Sequence, residues 1–258
     1  MECSGLISYI RCSIKMKKNV VLSIVSHNQG DFIRDLLADV DAKDFGLKYE
    51  VIVVVTINLP EDESFLGGHR NLNIKIIRNV IEKGFGHNHN SAFLELDSDI
   101  FVVVNPDIRI ERFDLDSFLS YLDASVGVIG PLVVSPKGNV EDSFRTFPTI
   151  RNVAYRKIFN DRNPSYRLRS SAPINVDWLA GMFLAFNSIV YRELGGFDEK
   201  YFMYLEDADI CRRSWLLDKR VVLVPCHSVV HDARRATGKS FRHFRWHLTS
   251  LIRFVFNV

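Results

Sequence analysis

The sequence predicts an α/β domain built on a mainly parallel central sheet flanked by helices. Short apolar runs rich in β-branched residues, stretches of helical apolar spacing between them, and turn-forming clusters that close each run carry this reading. Continuous apolar runs belong to strands covered on both faces, and their alternation with helices is that of parallel crossover units.

The 258 residues, 47% of them hydrophobic, suffice for one sizeable core with an appendage. A net charge of +2 is too small to mark a nucleic-acid binder, so an anionic partner must be met by local clusters. Cys3, Cys12, Cys211 and Cys226 include no close Cys-x-x-Cys pair of the kind that holds zinc, and they fit a reducing, cytoplasmic setting. No apolar run reaches the roughly 18 to 20 residues of a membrane span. Residues 1–15, with Arg11 inside a weakly apolar stretch, lack the pattern of a secretory signal and are expected to be an unstructured or mis-started extension ahead of Met16.

In chain order, Val20 to Val25 reads as a buried strand closed by Ser26-His27-Asn28-Gln29-Gly30. Phe32, Ile33, Leu36, Leu37 and Val40 then recur at helical spacing, and Val51 to Val55 and Ile74 to Ile77 are the next strands. Gly84-Phe85-Gly86-His87-Asn88 precedes a helix through Ala92, Phe93, Leu94 and Leu96. Two readings stand for it, a simple turn or a helix N-terminus where a backbone approaches a phosphate or a flat ring. Ile100 to Val104 is the most apolar strand and ends in Asn105-Pro106-Asp107. In an open α/β sheet ligands gather beyond the carboxyl ends of strands, which makes Asp107 a candidate ligand. Asp97-Ser98-Asp99 spells D-x-D but precedes that strand, and is read as a solvated turn.

Val126 to Val134 reads as further strand with a turn at Gly130-Pro131, and Ser135 to Asn139 as a hairpin-like loop. Residues 151–169 are basic and irregular, either a mobile loop, a cover over an anionic ligand or a solvated surface. Asn175 to Phe186 returns to strand-like character. The next stretch, Gly195-Gly196-Phe197-Asp198-Glu199 through Glu206-Asp207-Ala208-Asp209 to Arg213, places three carboxylates in four positions at a helix start. Acids there complement the helix dipole, and Asp209 stands four residues before Arg213 as an ion pair; the same cluster also suits catalysis. Arg220 to Pro225 is the last strand, with His227 and His231 expected beyond its end. Residues 240–258 interleave aromatic, aliphatic and basic residues without an acid. That pattern fits a closing helix, a helix lying in a membrane interface, or both.

The succession Ser26-His27-Asn28, Gly84-Phe85-Gly86-His87-Asn88, Asn105-Pro106-Asp107, Gly130-Pro131 with Arg145-Thr146-Phe147-Pro148, Asp177-Trp178 with Gly181, the Gly195-to-Asp209 stretch, and Pro225 to His231 resembles family 2 glycosyltransferases, most of all bacterial rhamnosyltransferases of O-antigen and capsule assembly. The resemblance covers about residues 19–250. It implies a GT-A fold over 16–239 with a C-terminal helical extension at 240–258, and inverting transfer of a sugar, L-rhamnose from dTDP-rhamnose, to a lipid-linked saccharide, with peripheral contact to the inner membrane surface. It also implies a divalent metal, Mg2+ or Mn2+, and no nucleic acid.

By the same resemblance Asp107 is the acidic member of the metal motif, Asn105 stands in its partner position, and His231 completes the metal site. Asp207 is the implied base, with Glu206 its supporting neighbour. Ser26, Asn28, Gly84, Phe85, Gly86, Asn88 and Arg145 are implied to meet the nucleotide sugar, and Asp177 and Trp178 the acceptor. The chemistry needs such parts. A sugar hydroxyl is a weak nucleophile until a carboxylate takes its proton, and a departing diphosphate needs its charge neutralised by a hard cation. The sequence departs from the family pattern after the second strand, where Thr56-Ile57-Asn58 stands in place of an acid that meets the nucleotide base or ribose. Two other classes share parts of this logic: a nucleotidyltransferase, and a non-catalytic module that binds a nucleotide or saccharide without turnover.

Overall fold

The computed structural model describes residues 17–43, 48–149, 168, 170–232 and 241–256. In chain order these form β1 (Lys18–Ser26), α1 (Gly30–Asp41), β2 (Tyr49–Ile57), β3 (Asn73–Arg78), α2 (Phe85–Leu94), β4 (Ile100–Val104), β5 (Ile108–Arg109), α3 (Leu115–Leu119), β6 (Val126–Val134) and β7 (Phe144–Arg145). There follow β8 (Ile174–Asn175), β9 (Trp178–Leu179), β10 (Phe183–Asn187), α4 (Ser188–Glu193), α5 (Glu206–Leu216), β11 (Arg220–His231) and α6 (Phe241–Phe256). The basic stretch expected as loop or cover lies outside the described residues except for Leu168, and so does the 1–15 extension.

Side chains of β1 alternate between two buried layers, with Val20, Leu22 and Ile24 on one face and Val21 on the other. The first layer takes Ile33, Leu36 and Leu37 of α1 and Phe118 of α3; the second takes Ala92 and Phe93 of α2, Ala208 and Ile210 of α5, and Phe254 of α6. Burial on both faces is why β1, β2 and β4 read as unbroken apolar runs.

Among the described residues the sheet has nine strands in the order β3-β2-β1-β4-β10-β6-β11-β5, with β8 beside β11. β1 to β4 are parallel, and β11 runs parallel to β6, but β10 is antiparallel to both β4 and β6. Because Phe183 of β10 pairs with Val104 at the end of β4, the segment entering β10 arrives at the carboxyl end of the parallel strands. There Asn105 N–H donates to the Met182 carbonyl at 2.9 Å.

Three expectations change. The strand expected to turn at Gly130-Pro131 instead runs unbroken as β6 from Val126 to Val134, with Gly130 and Pro131 paired to Leu223 and Val224 of β11. The single strand expected over Asn175–Phe186 is broken into β8, β9 and β10, since Trp178 and Leu179 pair with β7 in a separate two-stranded ribbon before the chain turns at Gly181. The last strand does not stop at Pro225. Its pairing to β6 skips between Val224 and Ser228, so the proline, which cannot donate to the ladder, sits in a bulge and the strand resumes to His231. His227 consequently packs against the rings of Phe113, Phe118 and Tyr121, while His231 pairs opposite Ile108 of β5.

Candidate active site

The β4–β5 turn sets up one end of the site. The Asn105 carbonyl accepts from Ile108 N–H at 3.2 Å, and the Asp107 carbonyl accepts from Asp232 N–H at 2.8 Å, so the turn is tied to the end of β11. Across this junction Asp107 Oδ2 lies 3.1 Å from His231 Nε2, and Glu141 Oε2 lies 2.6 Å from His231 Nδ1. Burial alone would lower the imidazole's proton affinity, but hydrogen bonds and charge from Asp107 and Glu141 outweigh it and push the pKa up to about 9.

This junction fits a hard divalent cation in one respect above all. Asp107 Oδ1 is buried and accepts no hydrogen bond, leaving a carboxylate oxygen unused beside an imidazole nitrogen. A carboxylate on the far ring nitrogen is the usual way a ligating histidine is held. Among the described residues no three His, Cys, Asp or Glu side chains converge as a ready cage. Asp107 and His231 thus offer a partial shell of the kind that substrate phosphates complete.

The other end is the start of α5. Tyr204 and Leu205 both adopt left-handed backbone, at φ 73° and 65°, a pairing that non-glycine residues rarely hold. Three contacts from α6 pin the turn. Tyr204 Oη lies 2.8 Å from His243 Nδ1, Ser250 Oγ donates to the Met203 carbonyl at 2.9 Å, and Phe202 stacks on Trp246 at 4.7 Å. The turn aims Asp207 at the entrance to β10, where its Oδ2 accepts from Gly181 N–H at 2.8 Å; Oδ1 accepts from Ala208 N–H at 2.8 Å. Burial raises the Asp207 carboxyl above the ordinary range, while those two donors and the Arg145 charge hold the rise back. Such an environment suits a proton acceptor.

The neighbouring acids differ. Glu206 is 5% exposed and its Oε2 has no hydrogen-bond partner; burial first, then the Asp207 charge, raises its carboxyl well above the ordinary range. Asp209 is 4% exposed and is bound by Arg213 at 2.7 Å and Arg212 at 3.1 Å, and Arg213 also donates to the carbonyls of Leu194 and Gly196. A depression of roughly 530 Å3 near this ion pair, lined by Asn90, Gly196 and Glu199 among others, contains none of the candidate site residues.

The donor-side candidates divide. Ser26 is fully buried and its carbonyl accepts from Asn58 N–H at 2.9 Å, and Asn28 is left-handed at φ 58°. Asn58 itself is committed: its Oδ1 accepts from Asn79 Nδ2 at 2.8 Å and Lys83 N–H at 2.9 Å, and its Nδ2 donates to the Lys83 carbonyl at 3.0 Å. Asn88 joins this network by accepting from Asn79 at 2.7 Å. Thr56 Oγ1 is buried without a partner.

Gly84 and Gly86 serve packing within the protein. A Cβ on Gly84 would lie 2.6 Å from the Phe202 carbonyl oxygen, and one on Gly86 would lie 2.6 Å from Phe197 Cβ. Phe85 N–H donates to that same Phe202 carbonyl at 2.9 Å. The close backbone approach expected at this helix start is therefore made by the chain's own 197–202 segment. Asn90 completes the clasp, receiving Phe197 N–H at 2.9 Å and donating to the Phe197 carbonyl at 2.9 Å.

Of the residues expected to meet the acceptor, Trp178 is 6% exposed with the Arg145 guanidinium 5.0 Å from its ring centre. Asp177 Oδ2 accepts from Phe147 N–H at 2.9 Å. Glu141 escaped the sequence reading. It follows the hairpin loop, where its N–H donates to Val133, and only the β6–β11 pairing brings it to His231.

The profile of Glycosyl transferase family 2 matches residues 22–193. The chain belongs to glycosyltransferase family 2. It is 30% identical over 252 residues to the rhamnosyltransferase WbbL of Escherichia coli K12, covering 92% of each chain. It is 32% identical over 151 residues to the N-acetylglucosaminyl-diphospho-decaprenol L-rhamnosyltransferase of Mycobacterium tuberculosis, covering 55% of this chain and 49% of that one.

Among solved structures it resembles GalNAc-T7 with UDP, GalNAc and Mn2+, at TM-score 0.64 and 16% identity over 87% of this chain and 45% of that one. It also resembles the mannosyltransferase PcManGT of Pyrobaculum calidifontis in complex with GDP-Man and Mn2+, at TM-score 0.58 and 18% identity over 93% of this chain and 64% of that one. The fold is GT-A, with a mostly parallel central sheet flanked by helices.

Proposed function

We propose that this glycosyltransferase inverts the anomeric centre as it moves L-rhamnose from dTDP-rhamnose to a lipid-linked saccharide at a membrane surface, in bacterial surface polysaccharide synthesis. The observation that carries the sugar is the similarity to a named rhamnosyltransferase along 92% of both chains. The lipid-linked acceptor is supported by the mycobacterial relative, which is named for an N-acetylglucosaminyl-diphospho-decaprenol acceptor. Residues 16–239 would form the catalytic domain and 240–258 its C-terminal helix.

In this reading Asp207 takes the proton of the acceptor hydroxyl. The hydroxyl oxygen bonds to the anomeric carbon on the face opposite the diphosphate, and the bond from that carbon to the diphosphate oxygen breaks, its electron pair leaving with the dTDP. Gly181 and Ala208 N–H groups hold Asp207 in one rotamer for this transfer. Glu206, its buried neighbour in the chain, supports it. Asp107 and His231, with Asn105 supporting the turn, would hold Mg2+ or Mn2+, which when bound neutralises charge on the diphosphate. The nitrogen donor favours manganese. Arg145, held over Trp178 and paired with Asp142 at 3.0 Å, would meet a phosphate or a sugar hydroxyl. The Ser26–Asn28 loop, with Phe85 and Asn88 behind it, forms the nucleotide end. Asp177, which holds Phe147 N–H, and Trp178, which lies under Arg145, would line the acceptor side.

The test is a transfer assay of the purified chain with dTDP-rhamnose, UDP-GlcNAc and GDP-mannose against a polyprenyl-diphosphate-linked GlcNAc acceptor, with Mn2+ or EDTA. Rhamnosyl product formed from dTDP-rhamnose and abolished by EDTA is the expected result. Turnover with another donor alone, or undiminished turnover in EDTA, would overturn the donor or the metal assignment respectively.

A further inference from the structure

Helix α6 has two faces, and the fold uses one. His243, Trp246, Ser250 and Phe254 hold the helix to the body of the protein. On the opposite side Phe241, Phe244, Leu248, Ile252 and Phe256 stand exposed, at 80%, 60%, 46%, 47% and 62%. Their spacing of three and then four residues makes a single stripe along a helix about 24 Å long. A second segment adds to it. Val80 and Ile81, 96% and 65% exposed, sit at the tip following β3, and the Arg242–Glu82 ion pair ties that tip to the start of α6.

From this geometry we infer that the outer face of α6 and the Val80–Ile81 tip form a docking surface for an anionic lipid bilayer. The inference rests on the proposed lipid-linked acceptor only for its purpose; the surface itself stands on exposure and charge. The stripe is one side chain wide and lies on a convex helix. That shape sinks into the boundary between headgroups and acyl chains, whereas a stable protein partner needs about 800 Å2 of complementary surface per side.

Charge selects the lipid. Residues 240–258 contain Arg242, Arg245 and Arg253 and no acid, and Arg234, Arg235 and Lys239 precede them in sequence. Arg242 is paired with Glu82 and Arg253 donates to the Lys200 carbonyl, which leaves Arg245, exposed beside the stripe, as the described arginine best placed for a lipid phosphate. Because the inner face of α6 grips Met203 and Tyr204, the bilayer would lie against the helix that braces the turn into Asp207.

The test is flotation of the full chain with vesicles of phosphatidylcholine alone or containing phosphatidylglycerol. We expect binding to the anionic vesicles, weakened by salt. Phe244→Ser with Leu248→Ser should weaken it by about tenfold or more. Val80→Ser with Ile81→Ser, which leaves the helix untouched, should weaken it independently. Both variants should keep wild-type thermal stability and wild-type transfer to a short-chain, water-soluble acceptor. That assay separates the docking surface from the chemistry, so loss of transfer by every protein would count against the proposed function and not the surface. Wild-type protein that floats with neither vesicle, variants that float like wild type, or a concentration-dependent dimer abolished by the serine variants without vesicle binding would each overturn the inference.

Discussion

Glu141 sets its carboxylate 2.6 Å from Nδ1 of His231, so the opposite ring nitrogen is the one that faces Asp107. A proton held on Nδ1 leaves the Nε2 lone pair for a cation. Glu141→Gln should therefore lower Mn2+ affinity about 10- to 100-fold, the usual effect of removing such a partner. Titration of free Mn2+ by electron paramagnetic resonance reads this without turnover, and an unchanged affinity would remove Glu141 from the site.

The same imidazole gives a pH dependence. With its pKa raised to about 9 in the metal-free protein, His231 carries an extra proton at neutral pH that a cation must displace. Mn2+ affinity should rise about tenfold per pH unit through the neutral range and level off above about pH 9. In the absence of metal the sign for stability is opposite. The raised pKa contributes fully below the unfolded value near 6.5, and that contribution fades as the pH climbs through about 9.

Asp207→Asn should reduce transfer by about 100- to 10,000-fold, the range for loss of a general base, with the dTDP-rhamnose dissociation constant little changed. Calorimetric titration of the donor beside the transfer assay distinguishes the two effects. Normal turnover in this variant is the outcome that sinks the assignment.

Glu206→Gln probes the buried neighbour differently. Burial and the Asp207 charge favour its protonated form, so the wild-type fold loses stability as pH rises above the unfolded carboxyl value near 4.5. The glutamine variant should melt a few degrees higher than wild type at pH 8, with the gap closing toward pH 4.5. A gap that widens on acidification contradicts the burial argument.

Gly86→Ala separates packing from phosphate binding. A methyl 2.6 Å from Phe197 Cβ forces the α2 start away from the 197–202 segment, at a cost of about 1–3 kcal/mol in chemical denaturation. If instead the glycine chiefly admits a phosphate, donor affinity would fall with stability unchanged.

Much of this was legible in the sequence because the strands are buried on both faces. Val20 to Val25, Val51 to Val55 and Ile100 to Val104 advertise themselves by composition, and each lies within an observed strand. Asp209 and Arg213 could be paired on helix spacing alone, as they are at 2.7 Å. What sequence hid was set by distant partners. Pro225 looked like a strand end because the bulge that shelters it exists only through pairing to β6. Gly84 and Gly86 looked open because their occupants, Phe202 and Phe197, are more than a hundred residues away. Asn58, which stands where the family pattern has an acid, is taken up by the Asn79–Lys83 loop through both its oxygen and its amide.

The reversed direction of β10 has a mechanical consequence. Gly181, which grips Asp207, and Met182, which grips the turn carrying Asp107, are adjacent in the chain. The gap between Asp207, the proposed base, and Asp107, the proposed cation ligand, is thus governed by chain length at one strand entrance. One residue inserted or deleted at 180–182 would shift an anchor by about 3.3 Å, more than a reaction coordinate tolerates. Asp207 and the turn carrying Asp107 are thereby anchored one peptide apart, at Gly181 and Met182.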